Sequence, residues 1–125
     1  MLKHHRLWVA VGWLLIGLVV YLSLVRNPPA PLTFENSDKL EHAFAYATLS
    51  FWFCHIYVTA WSRALVIIAL VGMGVGLEYV QGWTGYRSFD VMDMLADSVG
   101  VLLGWILVLT PLGRLLAYVE SRVAR

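Results

Sequence analysis

The sequence predicts an all-α, polytopic membrane protein with four transmembrane helices in a compact bundle. Of its 125 residues, 60% are hydrophobic and only 14% are charged, whereas soluble domains average about 45–50% and about 25%. Four apolar runs of 18 or 19 residues are each long enough to cross a hydrocarbon core about 30 Å thick. The period-two alternation of β-strands is absent, and a helix satisfies its own backbone hydrogen bonds in lipid. The length predicts a single domain over residues 1–125.

The elements follow in order along the chain. The apolar runs cover residues 7–25, 43–61, 64–81 and 94–112, and they predict helices over 7–25, 39–61, 64–81 and 91–112. The first run is too long for the core of a signal peptide and lacks a cleavage site, so it predicts a retained helix. Three prolines within residues 28–31 end that helix. Ser62 and Arg63 form a tight link, residues 82–93 a polar one, and 113–125 an amphipathic tail along the interface.

The distribution of charge predicts orientation and excludes one class of partner. A net charge of +1 leaves no basic excess for binding nucleic acid. With four spans, six of the nine basic residues lie on the side of both termini, and three lie opposite. Cytoplasmic flanks are enriched in Lys and Arg, so both termini are predicted to be cytoplasmic. The single cysteine, Cys54, cannot form an internal disulfide.

Polar residues concentrate at the outer ends of the predicted helices. Seven of the eight acidic residues lie there, and only Glu120 lies on the inner side. Ionised groups within apolar spans are costly and often mark functional sites. On the fourth helix, aspartates and glycines recur at spacings of 3 and 4, which places them on one face. The candidate ligand-binding residues are Asp38, Lys39, His42, Tyr46, Glu78, Gln81, Arg87, Asp90, Asp93 and Asp97, and the candidate helix-packing residues are Gly74, Gly100 and Gly104. Gly72 and Gly76 are expected to thin the third helix in the same way.

The order of these residues resembles the VanZ-like family of small bacterial membrane proteins. The resemblance covers residues 38–104 and rests on Asp38-Lys39-x-x-His42-x-x-x-Tyr46, Glu78-x-x-Gln81 and Arg87-x-x-Asp90-x-x-Asp93-x-x-x-Asp97-x-x-Gly100-x-x-x-Gly104. The family pattern usually has Asn where this chain has Asp97, which adds a potential negative charge. The family is named for a member linked to resistance to glycopeptide antibiotics. The resemblance therefore implies a multi-pass protein of the bacterial cytoplasmic membrane that is close to cell-envelope biology.

The residue types leave three functions open. The first is a non-enzymatic site that binds a lipid head group or cell-wall precursor at the outer leaflet and affects antibiotic tolerance. Five potential negative charges outnumber the positive ones, which favours a ligand with an amine. The second is a hydrolase or transferase acting on a lipid-linked substrate, with His42 and a carboxylate as acid and base. The third is a structural membrane subunit whose polar cluster only holds the helix bundle together.

The sequence also predicts which chemistry the individual polar residues can perform. Arg87 is expected to pair with Glu78 or Asp90, because its guanidinium suits carboxylates. The acidic spacing matches no EF-hand loop, and no His-Glu-x-x-His pair suggests zinc, so we expect neither a metal nor a cofactor. No Gly-x-Ser-x-Gly turn supplies a serine nucleophile.

Overall fold

A computed structural model describes residues 2–25 and 37–123, which form helices and no strand. The helices are α1 (His5–Leu24), α2 (Ser37–Ile56), α3 (Ala60–Trp83), α4 (Val91–Val108), a 3-10 helix (Pro111–Arg114) and α5 (Leu115–Val123). The predicted all-α class is confirmed. The proline-containing connection predicted after the first helix falls on residues 26–36, outside the described residues.

The short connections make the long helices antiparallel neighbours. Three residues join α2 to α3, and seven join α3 to α4. The bundle therefore has two ends. We call the end where α1 and α3 finish and α2 and α4 begin the polar end, and the opposite end, with both termini, the terminal end. Nearly all the predicted site residues lie at the polar end.

Three helices of the described chain, rather than the predicted four, are long and apolar enough to cross a membrane: α1, α3 and α4. α1 buries only Gly12, and large apolar side chains such as Leu14 and Ile68 point outward. α2 falls short of that apolar character because it begins with charged residues and has His55 in its last turn. Its polar groups are compensated within the bundle, since α2 contacts α1, α3 and α4.

α2 and α4 approach each other closely along a glycine face. A Cβ atom added at Gly100 would overlap the backbone carbonyl of Ala43, and one at Gly104 would overlap that of Ala47. Small residues at such positions allow two helix backbones to pack directly against each other. One turn further, the Ser50 hydroxyl donates a 2.7 Å hydrogen bond to the Val101 carbonyl. The α2–α4 contact is therefore built on backbone rather than on large side chains.

The glycines of α3 do not share one role. A Cβ at Gly74 would lie 2.8 Å from Oδ2 of Asp97, whereas Gly72 and Gly76 have open space around them. The expectation that Gly72 and Gly76 thin α3 for packing is therefore wrong. Positions two apart on a helix differ by about 200° in direction, so Gly74 faces α4 while Gly72 and Gly76 face outward.

Most helix boundaries differ from the sequence expectation, and the largest differences are at the end of α2, the start of α3 and the end of α4, which lies at Val108 rather than at residue 112. α2 ends at Ile56, and Ser62 and Arg63 belong to the first turn of α3 rather than to a link. Thr59 sets this boundary, because its Oγ1 atom accepts a 3.1 Å hydrogen bond from the Ser62 amide. That contact is an N-cap, which satisfies an amide with no partner inside the helix. The Arg63 guanidinium donates to the carbonyls of Cys54 and Tyr57, at the end of α2.

The predicted amphipathic tail docks onto the start of α1. α4 ends at Val108, and Thr110 then caps the 3-10 helix. Within α5, the Glu120 carboxylate accepts hydrogen bonds from the amides of Lys3 and His4 and from the Trp8 indole, at 2.7–2.9 Å. Burial raises the pKa of Glu120, but these donors outweigh it and hold the pKa below its usual value. The negative carboxylate complements the free amides at the N-terminus of α1.

We expect Gly100→Leu to destabilise the protein strongly, because the new side chain would occupy the space of the Ala43 carbonyl. The cost should lie at the upper end of the roughly 1–3 kcal/mol typical of overpacking. Thermal unfolding in detergent and abundance in the membrane are the measurements. Gly76→Leu is the matched control, since nothing lies near that position. Equal melting temperatures for the two variants would contradict the inferred α2–α4 contact.

Candidate functional site at the polar end

Eight of the ten predicted ligand-binding residues form one cluster at the polar end, and Gln81 and Arg87 lie beside it. The close approach of α2 and α4 brings the start of α2 against the start of α4, with the end of α3 alongside. We call its five acidic members the carboxylate cluster: Asp38, Glu78, Asp90, Asp93 and Asp97. Lys39, His42 and Tyr46 contribute the other side chains.

The Lys39 ammonium lies at the outer side of the carboxylate cluster. Its Nζ atom contacts carboxylate oxygens of Asp38 at 2.7 Å and of Asp90 and Asp93 at 2.6 Å. An ammonium has three donors, so one carboxylate meets each. The neighbouring Lys39 holds the pKa of Asp90 below its usual value, and the Met92 amide adds to this effect. Asp90 is also the N-cap of α4, accepting from that amide at 2.9 Å.

The same three carboxylates are also the group of acidic side chains, within the described chain, whose spacing suits a metal ion. Ligand oxygens of Asp38, Asp90 and Asp93 all lie within 4.8 Å of one another. They surround the Lys39 ammonium, which already supplies a positive charge there. A metal ion at that point would have to displace Lys39, so the arrangement does not argue for one.

His42 and Asp97 form a second pair deeper in the bundle. His42 Nδ1 lies 2.8 Å from Asp97 Oδ1, and Nε2 lies 3.7 Å from Asp93 Oδ2. Asp97 is 2% exposed, and Gly74 provides the space that its carboxylate occupies. A carboxylate bonded to one ring nitrogen fixes the orientation of the imidazole. The other nitrogen of His42 therefore points toward Asp93.

Glu78 completes the cluster from α3. It is 1% exposed, and its Oε1 atom accepts a 2.7 Å hydrogen bond from the Asp90 amide. Its carboxyl group is also close to that of Asp93. Tyr46 is buried below, in a core with Leu49, and its phenol is close to Asp97 and Glu78. Asp93 therefore lies next to three other polar side chains of the site, those of Lys39, His42 and Glu78.

Gln81 and Arg87 bind α1 instead of the carboxylate cluster. The Arg87 guanidinium donates to the carbonyls of Leu22 and Val25 at 3.2 and 2.9 Å. Gln81 donates to Ser23 at 2.7 Å, and Tyr86 donates to Leu24 at 2.7 Å. The last four carbonyls of a helix lack partners inside it, and these side chains satisfy them at the end of α1.

The expected ion pair between Arg87 and Glu78 or Asp90 is therefore wrong. Among the described residues Arg87 forms no ion pair, because its Nη1 donors are used by α1. Five carboxyl groups are left with one lysine and one histidine as charge partners. Side-chain exposure falls from 57% at Asp38 and 38% at Asp90 to 3% at Asp97. The carboxyl groups thus extend from the solvent-exposed rim into the bundle.

Sequence reasoning missed two buried polar residues that hold the helices together, and one of them, Ser50, lies next to the site. Ser50 lies four residues after Tyr46 on the same face of α2, and it bonds to α4 below the cluster. His55 bridges the carbonyls of Phe51 and Leu112 at 2.7 and 2.9 Å, at the terminal end. The spacing of Lys39, Tyr46 and Ser50 along α2 could have identified Ser50, whereas nothing in the sequence places Leu112 near His55.

We expect Lys39→Met to lower stability, because it leaves the carboxylates of Asp90 and Asp93 without their counter-charge. Because Asp93 is buried, the cost should be about 1–3 kcal/mol, the usual penalty for an unsatisfied buried group. This cost should fall when Asp90→Asn and Asp93→Asn are added. Thermal unfolding in detergent measures the stability of the Lys39→Met variant and of the triple variant. Asp38→Asn is the control, since exposed ion pairs contribute about 0–1 kcal/mol. A triple variant no more stable than Lys39→Met would contradict the geometry around Nζ.

Comparison with known proteins identifies the family. The family model described as VanZ/LLP1 matches residues 18–115. An uncharacterized protein of Schizosaccharomyces pombe is 30% identical over 102 residues, covering 79% of this chain and 60% of the yeast protein. The chain thus spans less than two thirds of the length of that relative, which is eukaryotic. No solved structure matches. The resemblance found from the polar motif is confirmed: the chain belongs to the VanZ/LLP1 family.

Proposed function

We propose that the polar end binds the amine-bearing head group of a membrane lipid or of a lipid-linked cell-wall precursor. The observation that carries this proposal is the charge imbalance of the carboxylate cluster. With Arg87 directed to α1, Lys39 and His42 face five carboxyl groups. Like charges held together are unfavourable, so an additional ammonium would stabilise the cluster, whereas an anionic group would oppose it.

The geometry offers Asp93 and Asp90 as the contacts for that ammonium. Asp93 directs Oδ1 to Lys39, while Oδ2 lies 3.7 Å from His42 Nε2, beyond ordinary hydrogen-bond distance. Asp90 is 38% exposed at its side chain and lies at the surface of the bundle. Charge-assisted hydrogen bonds from an ammonium to carboxylates are about twice as strong as neutral ones.

We place the polar end at the outer leaflet of a bacterial cytoplasmic membrane, with both termini in the cytoplasm. Among the described residues, Lys3, Arg6, Arg63, Arg114 and Arg122 lie at the terminal end, and Lys39 and Arg87 lie at the polar end. The excess of basic residues supports a cytoplasmic terminal end. A precursor bound at the outer leaflet would be withheld from antibiotics that bind it there. The proposed effect on glycopeptide tolerance follows from that competition.

The direct test titrates soluble short-chain phosphatidylethanolamine and phosphatidylcholine into the protein in detergent and follows the NMR resonances of the His42 ring. The ammonium of the first lipid donates hydrogen bonds, while the trimethylated group of the second donates none. We expect phosphatidylethanolamine to bind at least about tenfold more tightly, a difference of about 1.4 kcal/mol. Asp93→Asn should abolish this preference, and Asp38→Asn should keep it within about twofold, since that exposed pair contributes little.

Equal affinity for the two lipids would contradict the proposal, as would a preference that survives in Asp93→Asn. Thermal unfolding of each variant accompanies the titration, so that loss of binding is separated from loss of the folded state. A preference for a purely anionic lipid at this end would also overturn the charge argument.

The His42–Asp97 pair favours a second candidate, a hydrolase or transferase acting on a lipid-linked substrate. A carboxylate that orients an imidazole is a common arrangement for a general base. The two candidates differ in their response to Asp97→Asn. Binding should stay nearly intact because the amide still accepts from His42, whereas turnover by a general base should fall by orders of magnitude. Turnover of a lipid-linked substrate that is lost in Asp97→Asn would establish the enzyme and replace the binding proposal.

A further inference from the structure

A separate apolar groove lies between α1, α2 and α3, away from the carboxylate cluster. It has a volume of about 340 Å³. Its walls are Trp13 and Ile16 of α1, Phe53 of α2, and Leu65, Ala69 and Leu70 of α3. Its polar lining is limited to Tyr57 and Ser62, which both lie toward the terminal end. The groove therefore has an apolar body and one polar mouth.

The extent of the groove matches one leaflet of a bilayer. Along α3 it runs from Ser62 to Leu70, eight residues or about 12 Å at the rise of a helix. One leaflet contributes about half of a hydrocarbon core about 30 Å thick. Because α1 and α3 are long and apolar enough to cross the membrane, the groove begins near the interface of the terminal end and finishes near the bilayer centre. The groove therefore accommodates most of the length of a single acyl chain, and its apolar walls match the polarity of that chain.

The mouth of the groove lies on the basic side of the molecule. Arg6 is exposed, and it is seven residues, or two turns, before Trp13, so both lie on one face of α1. The His5 ring packs edge-on against Tyr57, with 6.1 Å between centroids. Basic residues within a Debye length of the membrane surface attract anionic lipids by about 1 kcal/mol each.

We propose that this groove is a binding site for one acyl chain of an anionic phospholipid in the leaflet of the terminal end, with its phosphate near Arg6. Water is a poor occupant because the walls are apolar. The site is independent of the head-group site at the polar end, which lies at the opposite side of the bilayer. It would anchor α1, which buries only Gly12, against α2 and α3.

The test uses native mass spectrometry of the full chain in detergent, with phosphatidylglycerol and phosphatidylcholine of identical chains. We expect one retained phosphatidylglycerol per protein. Ala69→Trp should fill the groove and lower retention about tenfold, equal to about 1.4 kcal/mol. Ile68→Trp is the matched control, because Ile68 is adjacent, 67% exposed and outside the groove. Arg6→Gln should reduce phosphatidylglycerol retention to the level of phosphatidylcholine.

Undiminished retention in Ala69→Trp, or an equal loss in Ile68→Trp, would overturn the proposal, because the lipid would then be non-specific annular lipid. Equal retention of the two lipids by the unmodified protein would also overturn it, since the phosphate contact would be absent. Leu65→Trp, a second filling variant, and melting curves for every variant ensure that misfolding of one protein does not decide the result.

Discussion

The close approach of the α2 and α4 backbones determines which side chains meet at the polar end. Gly100 and Gly104 each face a carbonyl of α2 where no side chain fits. This contact fixes how far α4 is displaced along α2, and therefore which side chains meet at the polar end. With that register, Lys39 reaches Asp90 and Asp93, and His42 reaches Asp97. Backbone packing at Gly100 and Gly104 brings the two helices together. The ion pairs form between side chains that this packing has already placed close to each other.

The same constraint explains why the polar groups tolerate an apolar environment. Among the described residues, no buried side-chain nitrogen or oxygen lacks a hydrogen-bond partner. A lone charged group in a membrane interior is expensive, whereas one that is paired inside a bundle is not. The polar residues of α2, α3 and α4 face one another inside the bundle, while the large apolar side chains of α1, α3 and α4 point outward. The charged residues are also distributed unevenly along the bundle, since the polar end is acidic and the terminal end is basic.

Much of the site could be predicted from helical periodicity alone. The 3- and 4-residue spacing from Asp90 to Gly104 places these residues on one face, and the structure shows that face packed against α2. Periodicity could not predict the partner of Arg87, because that depends on the unsatisfied carbonyls at the end of α1, more than sixty residues away. It also could not count the membrane spans, since hydropathy does not distinguish lipid contact from contact with other helices. The start of α3 was also not predictable from periodicity, because it depends on one local hydrogen bond from the Ser62 amide to Thr59.

Glycine-mediated packing of α4 on α2 brings the His42 ring into contact with the Asp97 carboxyl group. Solid-state NMR of the protein in lipid bilayers can measure it directly, as the dipolar coupling between ¹⁵N of the His42 ring and ¹³C of the Asp97 carboxyl group. The 2.8 Å contact between Nδ1 and Oδ1 predicts a strong coupling in the unmodified protein and its loss in Gly100→Leu. A coupling that is absent in the unmodified protein, or that persists unchanged in Gly100→Leu, would contradict the account.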